Sequence, residues 1–164
     1  MDAFALSVAL FGAALATFLS GIGSAVGLSI AGRAAAGVLS EKPERYGSLI
    51  LMVVLPSTQG IYGFVIAIIV MVKLNLFAGN PAPISFGTGM EIFAACLPVA
   101  IAGIFSGIMQ GKTSAGGILM ASKKPEMAVK AGVLYAAMVE FYAVLGFLIS
   151  FLAILVGIRV PTPA

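Results

Sequence analysis

Four long stretches of this 164-residue sequence carry no charged side chain: residues 3–32, 46–72, 92–111 and 141–158, the last preceded by 131–139 with Glu140 alone between them. Each is close to or longer than the ~20 apolar residues that cross a bilayer as a helix. Backbone in lipid must satisfy its own hydrogen bonds, and a short chain does that with helices. The pattern predicts an all-α membrane protein with four transmembrane helices, over roughly residues 3–39, 46–76, 84–122 and 127–158.

Composition supports the same class. Hydrophobic residues make up 61% of the chain and charged residues 9%, against roughly a quarter charged in soluble domains. Nine basic and six acidic side chains cannot clothe a soluble globule of this size, which excludes a soluble enzyme, a disordered chain and a nucleic-acid binder. The net charge of +3 and pI near 9.2 describe membrane edges. With no His and a single Cys96, the sequence offers no zinc site, no Cys/His nucleophile and no internal disulfide. Two glycine runs imitate nucleotide loops. The one from Gly21 to Gly27 is a residue too long for the dinucleotide fingerprint and the one from Gly107 to Thr113 a residue too short for the phosphate loop; neither follows a strand. No organic cofactor is expected.

The turns are legible too. Residues 41–45 and 122–126 are short, charged and centred on Pro43 and Pro125, while 79–83 breaks the chain in its middle, and the tail 160–164 is not helical. The start, Met1-Asp2 and then thirty apolar residues, lacks the basic head of a cleaved signal peptide, so the first helix is expected to be retained. Seven basic residues (Arg33, Lys42, Arg45, Lys112, Lys123, Lys124, Lys130) flank the 1–2 and 3–4 turns, against Lys73 and Arg159 on the other side. Both turns are therefore expected to be cytoplasmic and both termini outside.

An internal repeat is visible. Ser20-Gly21-Ile22 recurs as Ser106-Gly107-Ile108, Lys42-Pro43-Glu44 as Lys124-Pro125-Glu126, and Gly63-Phe64 as Gly146-Phe147, at offsets of 86, 82 and 83. Their shared order predicts one hairpin duplicated in tandem, residues 1–82 and 83–164, with the two copies parallel. Small residues line the odd helices at fourfold spacing: Gly23, Gly27, Ala31 and Ala35 in the first, Gly103, Gly107 and Gly111 in the third. Such stripes let backbones approach closely, and they serve packing within one bundle and packing between copies equally well.

Polar side chains inside the spans point to function. Glu140 is the only acid deep in a span, where an acid costs ~2.5 to 3.5 kcal/mol, so it is a functional candidate by default. It lies fifteen residues after Pro125, Gln110 lies fifteen before Pro125, and Gln59 sixteen after Pro43. At the helical rise all three sit ~23 Å from their own turn, in one layer. Pro56 should kink the second helix and loosen nearby carbonyls. Thr58 and Tyr62, one turn apart, bring hydroxyls to the same region. A carboxylate, two amides, a hydroxyl and a carbonyl suit a hard monovalent cation such as Na⁺. Amides that only tune a proton-carrying Glu140 by hydrogen bonding have the same signature.

With these residues in place, the sequence resembles the proteolipid (K or c) subunit of V-type and A-type rotary ATPases, especially the bacterial Na⁺-translocating form. The motifs that carry the likeness run from Phe18 to Ala25, Leu55 to Gly60, Ser106 to Lys112 and Ala137 to Ala143. The resemblance implies a ring of identical subunits in the cell membrane of a prokaryote. It implies one ion-binding carboxylate, Glu140, per four helices, with Gln110, Gln59, Thr58 and the Leu55 carbonyl as further ligands and Tyr62 bonding the carboxylate. The implied partners are copies of the chain, a stator membrane subunit with an essential arginine, central stalk subunits and lipid. ATP chemistry would lie elsewhere in the complex. Ser57, where relatives often have Gly, and Phe141, where they have a hydroxyl residue, depart from the pattern. The rival readings are an H⁺-carrying rotor subunit and a stand-alone four-helix transporter.

Overall fold

The computed structural model describes residues 3–161, and these form four helices long and apolar enough to cross a membrane: α1 (Ala3–Glu41), α2 (Pro43–Lys73), α3 (Phe86–Lys123) and α4 (Ala128–Gly157). No strand occurs among the described residues. The chain is a multi-pass membrane protein of two helical hairpins, with α1 packed along α3, α2 against α1 and α4 against α3.

The α1–α3 contact is made backbone to backbone. A Cβ added at Gly107 would stand 2.5 Å from the carbonyl carbon of Gly23, and one at Gly23 would stand 2.6 Å from Cα of Ile104. Gly27 meets Gly107 and Gly111 in the same way. Both glycine stripes are thus consumed inside the chain, each helix giving the other the room that only hydrogen side chains leave. Nearer the other end of the pair, Phe4 stacks on Phe86 at 5.6 Å and Phe11 on Phe93 at 6.1 Å.

The hairpins are copies in structure, with a register that differs from the first motif pairing. Gly63 of α2 packs on Ala16 and Ser20 of α1, and Gly146 of α4 packs on Pro98 and Ala102 of α3. These equivalences have offsets of 82 for the odd helices and 83 for the even ones. Lys42-Pro43-Glu44 and Gly63-Phe64 obey them; Ser20-Gly21-Ile22, matched at 86, is one helical turn out. Small residues recurring every four positions let a sequence match slide by a turn with little loss.

Several boundaries also shift. The second helix ends at Lys73, short of the expected 76, because Asn75 adopts a left-handed conformation with φ 56. Gly79 does the same at φ 73, and the Asn75 side chain donates to the Asn80 carbonyl at 2.9 Å. The third helix begins at Phe86 instead of 84, with Ser85 accepting from the Thr88 N–H at 3.2 Å as its cap. The first helix runs on to Glu41 and the fourth starts at Ala128. Two π-helical turns, Ala128–Val133 and Ala153–Gly157, were not foreseen. Lys73 Nζ donates to the carbonyls of Ile154 and Leu155 within the second of them, placing a cation at the carbonyl end of α4. Val160 and Pro161 are non-helical as expected; the rest of that tail, 162–164, lies outside the described residues.

Candidate ion-binding site

Pro56 sets the local geometry. Its ring removes one N–H from α2, and residues Leu55–Ser57 tighten into a 3-10 turn. The Thr58 N–H and hydroxyl both turn to the Leu55 carbonyl, the hydroxyl at 3.0 Å. One residue past Gln59, the Gly60 N–H donates to the Ser24 hydroxyl of α1 at 2.8 Å. This bond fixes how α2 leans on α1 and so where Thr58, Gln59 and Tyr62 point.

All four polar side chains converge on Glu140. Its Oε1 accepts from the Thr58 hydroxyl at 2.5 Å and the Tyr62 hydroxyl at 2.6 Å. Its Oε2 accepts from Gln59 Nε2 at 2.9 Å and Gln110 Nε2 at 2.7 Å. The two amides also join, Gln59 Nε2 donating to Gln110 Oε1 at 2.6 Å. Both glutamines are fully buried, while Glu140, Thr58 and Tyr62 are half-buried. Leu55 enters only through its carbonyl and the shared Thr58 hydroxyl. The Tyr62 ring is held in place by Phe147, 5.4 Å away.

Two features set this cluster apart from an ordinary buried network. Gln59 Oε1 is buried and has no hydrogen-bond partner among the described residues. Buried oxygens without a donor are rare, and this one belongs to an amide whose nitrogen bonds the one carboxylate deep in a span. In addition, the single hydrogen of the Thr58 hydroxyl faces two oxygens, Leu55 O and Glu140 Oε1. It can be given fully to only one of them, so the Leu55 carbonyl and the Glu140 carboxylate compete for it.

Sequence reasoning overlooked the supporting serines. Ser106 donates to the Val139 carbonyl at 3.0 Å and approaches Gln59 Nε2 at 3.5 Å, tying α3 to α4 one turn from Gln110. Ser20 donates to the Val99 carbonyl at 3.0 Å, and Ser150 accepts from the Val99 N–H at 3.1 Å. Their signal was present: each serine sits among small residues at helical spacing, where a hydroxyl can reach a neighbouring backbone.

The profile of the ATP synthase C-subunit family matches this sequence twice, over residues 11–70 and 93–153. The chain belongs to the ATP synthase C-subunit family. Among its relatives in that family is the V-type sodium ATPase subunit K of Enterococcus hirae, 48% identical over 142 residues that cover 87% of this chain and 86% of the relative. The A-type ATP synthase subunit K of Methanocaldococcus jannaschii is 39% identical over 150 residues, which cover 90% of this chain and 63% of the relative. The family match includes α2 and α4 at the level of Gln59 and Glu140, and the stretch of α3 that bears Gln110.

Proposed function

We propose that this chain is the rotor subunit of a membrane rotary ATPase, that copies of it form a closed ring, and that each copy carries one Na⁺ at Glu140. Gln110, Gln59, Thr58 and the Leu55 carbonyl supply the remaining oxygens, and Tyr62 steadies the carboxylate. The observation that carries this reading is the bare, buried Gln59 Oε1 beside a carboxylate that already receives four hydrogen bonds. A proton on Glu140 has no use for that oxygen; a hard cation does. The name of the E. hirae relative, a sodium ATPase subunit, supports the same ion.

The mechanism follows from the cost of charge in lipid. A loaded site is neutral overall and can pass the lipid; an emptied Glu140 cannot do so cheaply and waits against the stator, where an arginine of the stator draws the carboxylate away from its ion. The chain itself makes and breaks no covalent bond. Its two hairpins, 1–82 and 83–164, descend from one, and only the second keeps the acid. The turns at Pro43 and Pro125 face the cytoplasm and the central stalk, with both termini outside. A cysteine in place of Ser122 is expected to react with impermeant thiol reagents from the cytoplasmic side; labelling from outside alone would reverse the topology.

Carbodiimide labelling of Glu140 in the purified assembly tests the ion. The reagent attacks the protonated acid and bound Na⁺ displaces that proton, so Na⁺ should slow the modification, and by more as the pH rises and fewer protons compete. If Na⁺ leaves the rate unchanged at every pH where labelling proceeds, the rotor carries H⁺. Transport by the chain alone in liposomes would favour the stand-alone transporter.

A further inference from the structure

Each amide beside Glu140 is oriented by what it faces. Gln110 Nε2 donates to the Ala136 carbonyl at 3.0 Å and to Glu140 Oε2 at 2.7 Å. A backbone carbonyl and a carboxylate only accept, so Gln110 cannot turn over without setting its own oxygen against both. Its Oε1 is thereby held towards Gln59. Gln59 Nε2 in turn lies 2.6 Å from Gln110 Oε1 and 2.9 Å from Glu140 Oε2, and its two hydrogens serve those two oxygens. Oε1, on the other branch of the same amide, is buried without a partner. The Ser106 hydroxyl is 3.5 Å from Gln59 Nε2, but it gives its hydrogen to the Val139 carbonyl and has none for that oxygen.

We propose that the Gln59 carboxamide is a two-position switch that makes the site select a cation over a proton. With no cation present, its NH₂ stands in the cation's place and bridges Gln110 Oε1 and Glu140 Oε2. When Na⁺ enters, the amide turns about its last side-chain torsion and presents Oε1 instead. That torsion is broad and roughly two-fold, so both positions are reached with the stem of the side chain unmoved. The occupant of the site decides between them. With Oε1 turned in and no cation, it would stand against the oxygens of Gln110 and Glu140 with no hydrogen on any of the three. A proton on Glu140 bridges one oxygen pair and leaves the other bare, whereas one hard cation is shared by all three oxygens. With NH₂ turned in and a cation present, two N–H groups would point at a positive charge.

The two glutamines therefore differ in role. Gln110 is a fixed ligand, oriented by Ala136 whatever the site holds. Gln59 is the residue that determines specificity, because it turns only for a ligand that several oxygens can share. Its turn gives up two hydrogen bonds, a loss that Na⁺ binding must offset. The amide accordingly swings back once the ion has left, and the emptied carboxylate regains a donor.

The switch rests on the reading of Glu140 as a Na⁺ site, and its test separates the two. Gln59 and Gln110 are the only glutamines in the chain, both are fully buried, and the four glutamates besides Glu140 are exposed. Solid-state NMR of the purified rotor in lipid, with ¹⁵N in glutamine side chains and ¹³C in glutamate carboxyls, counts the amide nitrogens dipolar-coupled to Glu140. Without Na⁺ both should be coupled; saturating Na⁺ should reduce the count from two to one. The nitrogen that stays should also remain beside a ¹³C-labelled alanine carbonyl, that of Ala136, which identifies it as Gln110. Two coupled nitrogens in a rotor that has bound radioactive Na⁺ overturn the switch and leave the Na⁺ site standing. A single coupled nitrogen before Na⁺ is added also overturns the switch, as does departure of the nitrogen beside Ala136. A rotor that binds no radioactive Na⁺ overturns the ion reading and the switch with it.

Discussion

Replacing Glu140 with glutamine should weaken Na⁺ binding by the assembled rotor at least about 100-fold and abolish Na⁺-coupled turnover. The carboxylate accepts from two hydroxyls and two amides. Glutamine keeps the size but supplies one acceptor oxygen and an NH₂ group that faces donors, so at least one partner must turn away. The larger effect is charge. A cation left without its carboxylate at this depth bears a cost on the order of 3 kcal/mol, and each 1.4 kcal/mol is about tenfold in affinity. Radioactive Na⁺ binding to the purified assembly measures this directly, alongside ATP-driven Na⁺ uptake into vesicles. Retention of affinity within tenfold would mean that the carboxylate is not the ion's counter-charge. Because the substituted side chain keeps its place between α2 and α3, ring assembly should persist, which distinguishes this loss from misfolding.

The depth of the site was readable because helices in a membrane act as rulers. Pro43 and Pro125 mark two turns on one side, and counting from them puts Gln59, Gln110 and Glu140 in one layer before any packing is known. Their mutual orientation was not readable. It depends on the 3-10 turn at Leu55–Ser57 and on the bond from Gly60 to Ser24, which decide the rotation of α2 about its axis. Periodicity in an apolar helix reports depth well and facing poorly, since lipid and protein interior prefer the same side chains. That ambiguity also hid the repeat register. A stripe such as Gly23, Gly27, Ala31 and Ala35 looks the same after a shift of one turn, and only the seats of Gly63 on Ala16 and Gly146 on Pro98 remove the choice. The π turns had no signature that propensity could see, because alanine, valine and glycine in Ala128–Val133 are ordinary helix residues in lipid.

Gly107→Leu is expected to destroy the fold of the single chain before any question of assembly arises. A Cβ at Gly107 would stand 2.5 Å from the Gly23 carbonyl carbon, 2.8 Å from its oxygen and 2.9 Å from the Ser24 nitrogen. All three are backbone atoms of a helix, so no flexible side chain can give way; α1 and α3 must separate along the length of their contact. Overpacking a core costs typically 1–3 kcal/mol where side chains can adjust, and here the cost should exceed about 3 kcal/mol. Separation would also pull Gln110 away from Gln59 and Glu140, since the amide contacts run between 2.6 and 2.9 Å. Gly37→Leu is the matched control, because a Cβ there meets nothing within 4 Å. Protease resistance of the membrane-embedded chain and its thermal midpoint in mild detergent should both fall for Gly107→Leu and stay near the parent for Gly37→Leu. Equal stability of the two variants would show that α1 and α3 do not meet backbone to backbone. The internal seat would then have to be abandoned.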